Sequence, residues 1–309
     1  MLRRARKISL VSAAGASLLL MPGLVQASSR KSPHVCSGSS SHPGVLKGHY
    51  ASGVLVKGFC AVNSGKADVI GTLTVSKGAT LAAAYGKHGS ALKVTGNLVV
   101  DSDGVAVLGC KVNQGETGYA CLDQPNSSAP TLTGHEDVTG NLIGHSALAV
   151  VVHNSAIGGN VTQTGGGGGL NCGLPKTGPF AAFNSPVYSD YEDSTIGGSA
   201  VIKNLKSCWL GFGREYVGKS VTINDNEMDD PDAIEVFSNY ITKNLGCKSN
   251  SHPPKGMPPH DEPVWDTTDI KDTSLYPRRE EPNTVEGTRS GQCRHATPAT
   301  PGGPSQGPF

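Results

Sequence analysis

Val94-Thr-Gly-Asn-Leu-Val-Val100 is a phrase that the chain repeats. It stands earlier as Val69-Ile-Gly-Thr-Leu-Thr-Val75 and returns as Val138-Thr-Gly-Asn-Leu-Ile-Gly144, Ile157-Gly-Gly-Asn-Val-Thr-Gln163 and Ile196-Gly-Gly-Ser-Ala-Val-Ile202. Later copies are Val217-Gly-Lys-Ser-Val-Thr-Ile223, Ile241-Thr-Lys-Asn-Leu-Gly-Cys247 and a weak one that begins at Val285. Position one is always Val or Ile, position four always Asn, Ser or Thr, and position three is Gly in six of the eight copies. Apolar residues at one, five and often seven share a parity, so they point to one side of a strand. Gly at three suits a corner where φ is positive or two backbones come close. No copy contains Pro, which a paired strand would exclude.

The copies start 25, 44, 19, 39, 21, 24 and 44 residues apart. If each long gap hides one degenerate copy, ten intervals averaging 21.6 residues separate Val69 from Val285. One strand per period of this size is the signature of a solenoid, in which no turn buries its apolar face alone and stacking builds a continuous core. The spacing therefore predicts an all-β chain, a right-handed parallel β-helix of about ten coils, with the position-four residues in a hydrogen-bonded ladder along one corner. A β-sandwich of many short strands is the competing architecture, but it gives no reason for a fixed phrase.

Outward from the repeat, the organisation reads as a signal peptide over 1–27, an N-terminal cap over 28–60 and the solenoid over 61–250. A Pro-rich arm and C-terminal cap follow over 251–295, then a disordered tail over 296–309. The basic start Met1-Leu-Arg-Arg-Ala-Arg-Lys7 and the apolar run Ile8 to Leu20 lead to Val25-Gln-Ala27, a secretory pattern too short to span a bilayer. Extracellular localisation agrees with eight Cys, an even number without the close pairs that zinc prefers. Disulfides Cys36–Cys60 and Cys110–Cys121 are expected. The glycine run Gly165 to Gly169 reads as a flexible excursion. Eleven of the 20 Pro lie beyond Asn250.

Composition removes several function classes. With 26 Lys+Arg against 25 Asp+Glu the net charge is +1, so neither nucleic acid nor an anionic membrane surface is an expected partner. Aromatics are 5% of the chain, whereas Gly numbers 41 of 309. Gly213-Arg-Glu-Tyr-Val-Gly-Lys-Ser220 spells a phosphate-binding loop, but that chemistry needs a helix to follow, and Val221-Thr-Ile-Asn224 belongs to the strand phrase. Nucleotide binding is set aside.

The strongest chemical feature is acidic. Asp225, Glu227, Asp229, Asp230 and Asp232 lie close together before Glu235, and hard cations take six to eight oxygens, so calcium is the one cofactor to weigh against a solvated turn. Paired acids also raise sugar cleavage, yet the order of acidic, Gly-His and basic segments is unlike a polygalacturonase. His145 and His153 share a parity but show no third ligand. Trp209, Phe212 and Tyr216 are candidates for stacking on a sugar.

Residues 188 to 293 resemble a group of secreted, Gly-rich proteins of Gram-positive bacteria. The resemblance rests on Ser207-Cys-Trp-Leu-Gly211, Asp230-Pro-Asp-Ala-Ile-Glu235, Asn244-Leu-Gly-Cys247 and Ser290-Gly-Gln-Cys293. It implies export and a solenoid and brings no activity with it. The reading is a secreted structural or adhesive rod of the bacterial surface, without a catalytic residue, touching polysaccharide or a surface protein. The alternative is a polysaccharide lyase or glycoside hydrolase built on a β-helix.

Overall fold

The computed structural model describes residues 32–63, 65–84, 90–109, 135–230, 234–252, 260–261 and 282–295, all in one compact unit, Ser32–Phe309. The chain is a parallel β-helix. Three sheets of ten, eight and nine strands, here called A, B and C, follow one another round the coil in the order A, B, C. In the later coils a fourth sheet of four two-residue strands, its last pair antiparallel, comes in after sheet A. The expected signal peptide, the expected disordered tail over 296–309 and the expected Cys110–Cys121 disulfide fall outside the described residues.

The phrase marks one corner of the coil. Its first residue ends a strand of sheet C, and these residues stack in register from Val69 through Val94, Val138 and Ile157 up to Val285. Its fifth residue begins a strand of sheet A, where Leu73, Leu98, Leu142 and Val161 stack in the same way. Both columns are buried, so the apolar parity read from the sequence is the wall of the core. The glycine at position three serves close approach. A Cβ on Gly140 would stand 2.5 Å from the Gly96 carbonyl oxygen, and one on Gly96 would stand 2.6 Å from that of Gly71.

Position four forms the expected ladder. The Asn97 side-chain oxygen accepts from the Asn141 backbone N–H at 2.8 Å and from its side-chain amide at 3.1 Å. Asn141 receives Asn160 in the same manner, and Asn160 receives the Ser199 amide at 2.9 Å. A second ladder runs farther inside, where buried Asn226 and Asn250 and half-buried Gln292 bond in series. Each rung gives a turn amide a side-chain acceptor, and in the second ladder Asn226 takes the buried Leu205 amide.

Two expectations are corrected. The long gaps hide no extra copies: Leu98 pairs directly with Leu142, Val161 with Ala200 and Leu245 with Arg289. In the middle gap the extra residues run between Thr164 at the end of a strand of sheet A and Tyr188 at the start of the next strand of sheet B. Sheet A still has ten strands, because two coils, with strands His34–Cys36 and Val54–Val56, precede the first recognisable phrase.

Nor is Gly165 to Gly169 a loose excursion. All five residues have positive φ, between 68° and 93°, and the run is hydrogen-bonded between two coils. Gly167 donates to the Ala147 carbonyl, Lys206 donates to Gly166, and Gly169 donates to Lys206. Only glycine adopts this succession of left-handed residues without strain.

Beyond that run the chain crosses the outside of sheet B. The short helix Pro179–Phe183 places Phe180 on Val105, Val107, Ala149, Val151 and Tyr188, a second apolar cluster apart from the main core. A disulfide joins Cys172 to Cys208 and ties this cover to the coil, while Cys36–Cys60 ties the first strand of sheet A to sheet B and Cys247–Cys293 ties sheet A to the turn after its last strand. Among the described residues no helix is long and apolar enough to cross a membrane.

Candidate functional site

The acidic segment is dispersed by the strand geometry. Asp225 is exposed at a corner with φ 56°. Glu227 turns to Lys206 Nζ at 2.6 Å, and Asp229 accepts the Cys172 backbone amide at 3.0 Å. Asp230 is buried and accepts from the Trp209 indole N–H at 3.3 Å. Asp232 lies outside the described residues. Three of the four described carboxylates are therefore engaged with three different neighbours instead of facing a common centre.

The other sequence candidates also separate. His145 is exposed on sheet A and His153 is buried on sheet B, so their shared parity does not bring them together. Phe212 is in the core, Trp209 lies partly buried, and Tyr216 is 48% exposed. Gly213 to Ser220 passes into the strand Val221–Asn224, which denies a phosphate the helix terminus that the motif needs.

The structure instead gathers charge at the corner between sheets B and C. His153 is wholly buried, with Nε2 2.8 Å from Asp190 Oδ2 and Nδ1 2.8 Å from Glu192 Oε2. Arg214 Nη2 meets the other oxygen of Glu192, and its fork binds Asp193 through Nε at 2.8 Å and Nη2 at 3.0 Å. Asn154, Asp193, Arg214 and Ser238 all turn this corner with φ between 45° and 53°. The same fold that stacks strands thus stacks left-handed corner residues, and an arginine one coil above an aspartate is held at reach of it.

Beside this network, one inward column of sheet C changes character. It is apolar at Ala67 and Leu92, then continues as Glu136 and Ser155, and Glu215 and Asn239 follow higher in the same sheet. Burial pushes the Glu136 carboxyl well above its ordinary 4.5, against the pull of the Gly109 amide. Burial also raises Glu215; His153, the Ser194 amide and Arg214 pull it down, while Asp190 adds to the rise. Tyr191, raised first by burial and then by Glu215 and Asp190, donates its hydroxyl to Gln163 Oε1 at 2.8 Å.

A carboxyl whose proton is held more tightly in the folded state stabilises the fold fully below its unfolded pKa. That contribution is lost as pH rises through the folded value. Glu136→Gln should therefore match the parent in urea at pH 4 and exceed it at pH 7. The gap widens by about 1.4 kcal/mol per pH unit between the two pKa values. Parallel pH profiles for the two chains would contradict the assignment.

On the outside of sheet C the residue before each phrase forms its own rank, and there Tyr216 and Tyr240 stack one coil apart, centroids 5.6 Å and planes 4° apart. Both are exposed, and the Tyr240 hydroxyl donates to Glu286, a bond that raises its pKa. The signal for this pair was present in the sequence: each Tyr immediately precedes position one. The buried network left no such trace, because its members are separated by the excursions.

What fold and site define is a disulfide-stapled parallel β-helix with a closed ionic corner. Comparison with family models, curated proteins and solved structures finds no match to the chain.

Proposed function

We propose that the protein is a secreted, non-catalytic rod that binds polysaccharide at the bacterial surface. The observation that carries this reading is a contrast in access. The side chains able to act as acid, base or nucleophile at the corner between sheets B and C are sealed, with His153, Asp190, Glu192 and Glu215 no more than 2% exposed. The exposed aromatic side chains Tyr216 and Tyr240 are instead held in register on neighbouring parallel strands. A general acid or base must come within hydrogen-bond reach of its substrate, and a closed corner denies that. Two rigid tyrosines offer ring edges and hydroxyls for little lost side-chain freedom, which suits a sugar chain lying along the coil axis.

Retention on insoluble peptidoglycan, chitin and cellulose, with and without Tyr216→Ala/Tyr240→Ala, tests this. The parent is expected to be retained on at least one, with roughly a tenfold loss of affinity in the double variant. New reducing ends or unsaturated uronides released from a soluble panel would establish the enzyme alternative instead.

A further inference from the structure

We infer, resting on that polysaccharide reading, that the polymer held at Tyr216 and Tyr240 is an acidic one and that Lys219 and Lys243 select it. The two tyrosine coils carry the same four-residue text, Tyr216-Val-Gly-Lys219 and Tyr240-Ile-Thr-Lys243. Tyr216 pairs with Tyr240 on sheet C, and Val221 pairs with Leu245 on sheet A. Both pairs are 24 residues apart, so the corner between them holds no insertion. Thr242 donates its amide to the Val217 carbonyl and its hydroxyl to that of Gly218, and the Asn244 amide donates to the Ser220 hydroxyl. The register therefore runs unbroken through the turn. Lys219 and Lys243 stand one above the other, about 4.8 Å apart at the backbone, each three residues from its own tyrosine. Both are exposed.

Two independent observations join the lysines to the rings. First, position three of the phrase is Gly in six of its eight copies, and the two exceptions are Lys219 and Lys243. The corner gains a side chain at this position in the same two coils that present a stacked tyrosine. Second, like charges directly opposite on paired strands repel. Among the described residues no carboxylate forms an ion pair with either lysine, whereas Lys77 and Lys206 meet Asp103 and Glu227.

Glu286, one coil higher, is the acid of this patch, and its carboxylate is engaged by the Tyr240 hydroxyl. Two lysines against one glutamate leave the patch positive. An anionic group laid across both ammonium groups relieves their repulsion and gains charge-assisted hydrogen bonds from each. A sugar resting against the tyrosines brings its own carboxylate or phosphate to that place, while a neutral sugar leaves the two charges facing each other.

The full-length oxidised protein is titrated calorimetrically at low salt with polygalacturonate, its methyl ester, a phosphomannan and neutral mannan. At least one acidic polymer should bind about tenfold more tightly than its uncharged counterpart, an excess that fades as salt is added. Which of the two binds identifies carboxylate or phosphate as the group held. Lys219→Gln/Lys243→Gln should lose about tenfold in affinity for that polymer. Lys203→Gln/Lys248→Gln makes the same change of net charge at the opposite edge of sheet A and should keep it. Equal affinity for charged and uncharged polymers, or equal losses in the two double variants, overturns the inference and leaves the polysaccharide reading standing. Binding to none of the four overturns it as well, and retention on peptidoglycan, chitin or cellulose then decides the polysaccharide reading by itself.

Discussion

Gly166→Ala is expected to cost more than about 4 kcal/mol, enough to remove most of the stability of an ordinary domain. Gly166 has φ +87°, and a Cβ there would lie 1.9 Å from the Ala147 carbonyl oxygen and 2.6 Å from the Ser146 carbonyl carbon. Both obstacles are backbone of the neighbouring coil, which has no flexible end to swing aside. Relief would require separating the coils where Gly167 bonds Ala147 and Lys206 bonds Gly166. Gly169→Ala is the internal comparison. It shares the left-handed φ, +90°, but nothing lies within 4 Å of its Cβ. It should lose only the conformational term of about 1–2 kcal/mol. Urea midpoints of the two variants separate close packing from backbone preference. Equal losses would show that the glycine run is kept for φ alone.

This comparison also shows where sequence reading stops. Periodic side chains were legible because each coil repeats them: Val94, Asn97 and Leu98 declare a core wall, a ladder rung and a second wall without any knowledge of partners. Five glycines declare only permissiveness. Whether that freedom serves mobility or a tight fit depends on the coils above and below, and Ala147 and Lys206 are 20 and 37 residues from Gly167 and Gly169. The acidic segment failed for a related reason. Nearness in sequence suggested a common shell, but alternation along a strand and the turns beside it aim Glu227 at Lys206, Asp229 at Cys172 and Asp230 at Trp209. The converse holds for the ionic corner, where residues as far apart as His153 and Asp190 meet because a parallel coil brings every circuit back to the same edge.

That corner carries the second large effect. Arg214→Met is expected to destabilise the protein by about 3–5 kcal/mol at neutral pH. The guanidinium is 5% exposed and faces Glu192 and Asp193, which are 1% and 2% exposed. Methionine has a comparable apolar stem, and the left-handed φ of 53° strains either residue, so the backbone term is common to both. What changes is that buried carboxylates lose their counter-charge, which costs more than a salt bridge contributes when formed. An unpaired buried carboxylate takes up a proton, so the deficit should be larger at pH 7.5 than at pH 4.5. Arg214→Lys keeps the charge and loses the fork that grips Asp193, for a smaller cost of about 1–2 kcal/mol. Arg214 also lies 5.5 Å from the centre of the Phe237 ring, a packing contribution that does not depend on carboxylate protonation. Denaturation of both variants at the two pH values therefore has a clear reading. A deficit that shrinks in acid assigns the arginine to charge balance, and an equal deficit at both pH values assigns it to its packing on Phe237.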